Sequence, residues 1–249
     1  MIHTATTMTH LGDFIRDTEP SSPQAEGLYR EAIAIIHRVR GERHLDLVHP
    51  MGSLVDLLLA RGSYAEAESL QREILALRLS RFGPDHPTVA ADLGALANVL
   101  ARGQRYEEAL DLMEDALAKW RAAVGDSHPA VAGSMAATAR IHIALGNYAA
   151  AESLVVQAIE ILRAAHGEEH TGVPMTIALL GDIRRMQGEY AAADSLLKHA
   201  LERVRRVQSE DHPNVQTLYR SFVELYTAWG KPEEAERYRA LLKPETPGQ

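Results

Sequence analysis

Residues 64–105 read YAEAESLQREILALRLSRFGPDHPTVAADLGALANVLARGQR, and the rest of the chain is built on that stretch. Tyr64, Tyr106, Tyr148 and Tyr190 stand 42 residues apart, and the same step links Ala67, Ala109, Ala151, Ala193 and Ala235. Gly41, Gly83, Gly125 and Gly167 keep the interval, as do His44, His86, His128, His170 and His212, and Val89, Val131, Val173 and Val215. A self-similarity of fixed length marks a repeat array, in which each unit buries its apolar face against its neighbours.

Inside the unit, Tyr106 to Ala122 holds only helix formers, and Ala109, Leu110, Met113, Ala116 and Leu117 fall at three- and four-residue steps on one stripe. Gly125-Asp126-Ser127-His128-Pro129 breaks that helix, with glycine where a helix can end in a left-handed turn and proline where the next can spare an amide donor. A second helix is expected from about Pro129 to Leu145, stopped by Gly146 and Asn147. The unit is thus an antiparallel helix pair, with Ala67, Ala109, Ala151 and Ala193 buried where the two helices cross.

Several residues carry a family resemblance. Leu-Gly or Leu-Ala pairs (Leu11-Gly12, Leu96-Ala97, Leu180-Gly181), a glycine before the aromatic (Gly62, Gly146, Gly188) and alanines seven apart (Ala109 and Ala116, Ala151 and Ala158, Ala193 and Ala200) resemble tetratricopeptide repeats. The 42-residue period and the Gly-x-x-His-Pro connector are similar to those of the kinesin light chain type. The resemblance implies an all-α, right-handed superhelical solenoid of six antiparallel helix pairs, forming one domain over residues 1–243. The repeats are expected at about 3–42, 47–82, 88–124, 129–166, 172–208 and 214–243, followed by a polar tail at 244–249. Repeat one has a turn one residue longer, Thr18 to Pro23, and the connector before repeat two carries Leu45 in place of proline. Thr171 replaces a proline and Ser209 a glycine, so looser connectors are expected there, a non-glycine at a left-handed cap costing strain. Pro232 opens a short last helix.

Composition narrows the function. The chain has 249 residues, 46% of them hydrophobic but only 5% aromatic, which suits alanine-rich helix packing and leaves few rings on which single-stranded bases could stack. The net charge is −8, and neither half is basic: 13 basic and 18 acidic residues precede Gly125, and 13 and 16 follow from there. Binding to a nucleic-acid duplex by phosphate neutralisation is therefore not expected. There is no cysteine, hence no disulfide or thiolate metal site, and no run approaches the roughly 18 apolar residues of a membrane span. A soluble, cytoplasmic protein is expected; 22 arginines against 4 lysines suit GC-rich bacterial coding.

Candidate chemistry dissolves into the repeat. His166-Gly167-Glu168-Glu169-His170 matches the H-x-x-E-H pattern of one zinc peptidase class, but Gly167 and His170 are the periodic connector residues, and a glycine-centred turn cannot hold both histidines on one helical face. The five periodic histidines lie a helix pair apart, too far to share a metal whose ligands must sit about 2 Å from one point. Asp85, His86 and Pro87 instead read as a helix start. Trp120 aligns with Arg78, Leu162 and Val204, so its position does not require an aromatic. Neither a catalytic site nor a cofactor is expected.

What remains is a surface. The resemblance implies that the first helix of each pair lines a concave face, which places Asp13, Asp56, Asn98, Arg140, Asp182 and Glu224 in one inward column, with Arg102, Arg185 and Arg220 on the same face. Small residues precede the column: Gly52 and Ser53, Gly94 and Ala95, Ala136 and Ala137. The expected function is a scaffold binding a protein or peptide along this groove. Asp13, Asp17 and Asp56, opposed mainly by Arg16, make one end acidic, while Arg140, Arg185 and Arg220 make the other more basic; Arg185 and Arg220 are the expected anchors for an acidic group. The rival readings are a sensor section of a larger signalling protein, such as a bacterial kinase or nucleotide-binding switch, and weak self-association through the ends of the stack.

Overall fold

The computed structural model describes residues 1–19 and 21–243; Pro20 and the polar tail at 244–249 lie outside the described residues. Among the described residues there are twelve α-helices and no strand. They are α1 (Ile2–Thr18), α2 (Pro23–Arg40), α3 (Val48–Ala60), α4 (Tyr64–Phe82), α5 (Pro87–Arg102), α6 (Tyr106–Val124), α7 (Pro129–Ala144), α8 (Tyr148–His166), α9 (Gly172–Met186), α10 (Tyr190–Arg205), α11 (Pro213–Ala228) and α12 (Pro232–Arg239). Consecutive helices pack on one another within two compact units, one from Met1 to Ala123 and one beginning at Val124.

The 42-residue step is a packing rule. Ala67, Ala109, Ala151 and Ala193 are all fully buried, so no side chain larger than a methyl separates the helices there. The glycine of the Leu-Gly pair serves the same approach from the other helix. A Cβ on Gly12 would stand 2.6 Å from the ring of Tyr29 on α2, and one on Gly181 3.0 Å from Leu197 on α10. In the first unit the core gathers Tyr29, Leu47, Met51, Leu54, Leu57 and Ile74; in the second it gathers Val155, Ile183, Leu197, Leu218, Tyr219 and Phe222.

First helices end in a repeated cap. The amide of Ser63 donates to the carbonyl of Leu58, Asn147 to His142, Glu189 to Arg184 and Lys231 to Tyr226, while the preceding residue stands in the left-handed region. That geometry is a Schellman cap, which favours glycine. Gly62, Gly146, Gly188 and Gly230 supply it, but the third repeat has Gln104, at φ 63 the one non-glycine residue of positive φ among the described residues.

The connectors between pairs are built on histidine. The Nδ1 atoms of His86, His128 and His212 accept from the backbone amides of Thr88, Ala130 and Asn214, each opening the next first helix, with proline between. His170 accepts likewise from Gly172, and His44 from Asp46 at the start of a 3-10 turn, Leu45–Leu47, that takes the place of the missing proline start. The histidine therefore provides the cap acceptor usually supplied by Ser, Thr, Asp or Asn. The residue before the connector glycine stacks on this ring: Phe82 on His86 at 4.6 Å and His166 on His170 at 4.3 Å. Between the last two stands Gly167 at φ 78, so the H-x-x-E-H run is a turn with one histidine in a capping bond.

One expectation needs correction. Ser209 does not take up a left-handed conformation: α10 ends at Arg205, and Arg206 and Val207 donate to the carbonyls of Arg203 and Val204 in a tightened turn. At this second-helix end the missing glycine is met by stopping the helix early, whereas Gln104 takes the left-handed position itself. Thr171 is itself helical at φ −56 and leaves the cap to His170, so α9 begins one residue later than its counterparts.

Candidate functional site

In the first unit, the inward column lies along a cleft of about 830 Å³ formed by α1, α3, α4 and α5. Asp13 is its best-tied member. Its carboxylate accepts from Tyr29 Oη at 2.9 Å and Ser53 Oγ at 2.7 Å, and His49 Nε2 lies at 3.1 Å. Burial raises the Asp13 pKa, but these bonds together with the charges of His49 and Arg16 outweigh it and leave the carboxyl below its ordinary range. Arg16 reaches Asp56 at 3.3 Å, with Asp17 at 3.8 Å and Asp13 at 3.9 Å, so the acidic end carries its own counter-ion. Asn98 is exposed on the cleft wall, and Arg102 donates to the carbonyl of Leu59 at the end of α3. Gly52 borders the cleft with open space where a Cβ would stand.

In the second unit, Arg140 on α7, Asp182 and Arg185 on α9, and Arg220 and Glu224 on α11 occupy the corresponding positions. Asp182 accepts from Ser221 Oγ at 3.3 Å, while its Oδ1 is buried with no hydrogen-bond partner among the described residues. Burial pushes the Asp182 carboxyl up to about 6, against the pull of Arg185, Ser221 and Arg140. Arg140 is depressed by its own burial, which the charge of Asp182 opposes. Arg185 donates through Nη2 to Glu224 at 2.8 Å. Its side chain is only 13% exposed and its Nε has no partner. Arg185 is thus occupied within the unit, and of the two expected anchors Arg220 is the exposed one, with no ion pair among the described residues.

One pair in the first cleft was not singled out from sequence. Arg78 Nη1 on α4 donates to Asp92 Oδ1 on α5 at 2.7 Å, and the Asp92 side chain is 6% exposed. Its Oδ2 is buried with no partner among the described residues, and burial, opposed by Arg78, pushes the carboxyl up to about 6. The signal was in the register: Arg78 shares its column with Ile36, Trp120, Leu162 and Val204, and Asp92 shares its own with Pro50, Ser134, Thr176 and Leu218. Both columns depart from the template in the same junction.

Comparison with known proteins agrees with this architecture. The tetratricopeptide repeat family model matches residues 3–80, 52–122, 88–164 and 172–238. No curated protein sequence matches the chain. Among solved structures, BtubC (BKLC) from P. vanneervenii superposes with a TM-score of 0.66 at 19% identity, covering 98% of this chain and 93% of that one. A kinesin-light-chain-type protein of nearly identical TPR-like repeats from Podosopora anserina gives 0.62 at 21% identity, over 80% of this chain and 94% of its own. A Rap protein complexed with Competence and Sporulation Factor gives 0.67 at 13% identity, over 96% and 73%. At these identities the likeness is one of fold, and it includes the kinesin light chain type of repeat. With matches that run along most of its length, the chain belongs to the tetratricopeptide repeat family.

Proposed function

We propose that this protein is a binding scaffold which holds a polypeptide against the first-helix face of its repeats. Tetratricopeptide repeats generally mediate protein–protein interactions, and the Rap structure complexed with Competence and Sporulation Factor has the same fold. The observation that carries the reading is the cleft of about 830 Å³ in the first unit, where Asn98 and Asp56 present polar groups beside the open side of Gly52. Its volume falls in the range of sites that enclose a ligand, and its polar groups are few and convergent. In the second unit, exposed Arg220 would meet an acidic group of the partner. Photo-crosslinking tests this. A benzoylphenylalanine at Asn98 or Arg220 should give discrete polypeptide adducts in cells, whereas one at exposed Glu114 on α6 should not. Equal labelling from all three positions, or none from the first two, would contradict the proposal.

A second reading, self-association, is favoured by one specific feature. Phe14 stands in the register of Leu57, Val99, Ile141, Ile183 and Leu225, which are at most 3% exposed, yet Phe14 is 68% exposed. An apolar stacking position that no described helix covers suits a second copy of the chain. Sedimentation should then show concentration-dependent dimers that Phe14→Glu abolishes; a monomer at every concentration would exclude it.

A further inference from the structure

The outer face of α1 is made of residues whose counterparts in the later first helices are covered. Besides Phe14, Leu11 stands in a core column: Leu54, Leu96, Thr138 and Phe222 share its register and are at most 2% exposed, whereas Leu11 is 47% exposed. Two threonines extend the pair into a stripe, for Thr7, Leu11, Phe14 and Thr18 follow one another at steps of four, three and four residues and are all exposed. That spacing is the seam of a two-helix coil, in which the stripe of one helix lies against the stripe of another. Ala5, Thr9 and Gly12, on the far side of α1, are buried in its own unit, so α1 can serve that core and a second helix at once.

What flanks the seam selects the second helix and its direction. On one flank stand His10 and Asp17, both exposed, and on the other Met8 and Ile15, both half-buried. In an antiparallel pair of identical helices each flank meets itself reversed. We infer that the chain self-associates as a closed two-fold dimer in which α1 packs antiparallel on α1 of a second copy. Leu11 lies against Phe14 of the partner subunit, His10 against Asp17 of the partner subunit, and Met8 against Ile15 of the partner subunit, each contact made twice by the symmetry. A parallel pair would instead set His10 against Ile15 of the partner subunit and leave Asp17 without a cation. Asp17 is the one exposed carboxylate of α1, whose exposed residues include no arginine or lysine, so the antiparallel match brings no like charges together. The last described helix is a poor substitute, because five of the eight residues of α12 are charged. An isologous patch is used up by one partner, so association stops at two copies. The inference rests on the self-association reading above, and whether copies associate and how they pair are read by separate measurements.

The chain has no cysteine, so introduced thiols report the pairing cleanly. Thr7→Cys and Thr18→Cys are made separately in the full chain and oxidised alone and as an equal mixture. Across the two-fold, Thr7 meets Thr18 of the partner subunit, whereas two copies of residue 7 stand about 16 Å apart along the helix axis, beyond the roughly 7 Å between Cα atoms that a disulfide spans. The mixture should therefore yield about tenfold more cross-linked dimer than either variant alone. Sedimentation of two charge variants adds an independent reading. His10→Glu and Asp17→Lys should each raise the dimer dissociation constant about threefold or more, and the chain carrying both should regain the original value, since the exchanged charges meet only across the interface. A monomer at every concentration would remove the self-association reading and this inference with it. Dimers that cross-link as well from one variant alone as from the mixture, or that fail to recover in the double charge variant, would leave self-association standing and overturn the antiparallel pairing.

Discussion

The α4–α5 and α8–α9 junctions follow one template and fill one pair of positions in opposite ways. At the second, Leu162 lies partly buried against the core, and Thr176 returns its hydroxyl to the Gly172 carbonyl at 2.8 Å, so the junction needs nothing from outside. At the first, the same positions carry Arg78 and Asp92, with a carboxylate oxygen left buried and unpaired. One junction is finished by its own residues, while the other keeps a buried carboxylate oxygen unmet among the described residues. Where an array repeats its solution elsewhere, a costly local exception points to function rather than fold.

The comparison breaks most visibly if one partner is removed. Arg78→Leu alone should cost about 3–5 kcal/mol near pH 8, because it leaves an uncompensated buried charge. The sign with pH follows from Asp92. Its folded pKa, about 6, lies above the ordinary aspartate value of about 4, so the carboxyl's contribution to stability is full below about pH 4 and lost as pH rises through 6. Urea melts of Arg78→Leu should therefore show a smaller loss at pH 5 than at pH 8; an equal loss would place the charge elsewhere.

Changes at the alanine crossings probe what both junctions share. Ala109→Leu and Gly12→Ala should each cost about 1–3 kcal/mol by overpacking, the second because Tyr29 must give way. A denaturant midpoint unmoved by either would show that the helix register is wrong. Smaller effects belong to the turns. His128→Ala should cost about 1 kcal/mol by losing a cap acceptor, with most of it restored by His128→Asp, and added zinc should leave the melting temperature where it was. Gln104→Gly should gain about 0.5–1 kcal/mol by relieving a left-handed side chain, and Gly146→Ala in the same motif should lose about as much.

The period made the fold legible. Each recurring alanine, glycine and histidine has one physical job, repeated in every unit, so position in the 42-residue frame foretold helix ends, the crossing points and the role of His86 and His128. Ser209 was not legible in this way, because a chain without glycine there ends α10 early instead of bending into a left-handed cap. The site was less legible for two reasons. Arg185 and Arg220 look alike in sequence, yet Glu224 ties up one and leaves the other open, a difference set by a neighbour a repeat away. Arg78 lies on a second helix, outside the inward column of the first helices, and it meets Asp92 only once α4 packs on α5.

Whether the fold requires the Arg78–Asp92 pair is measured in the stability of Arg78→Leu with Asp92→Thr. Converting that junction to the residues of the second should leave helicity intact and leave the urea midpoint unchanged or raised, by up to about 1–4 kcal/mol at pH 8. A loss of several kcal/mol in the double variant, as large as in Arg78→Leu alone, would show that the pair holds the helices together and would contradict the account.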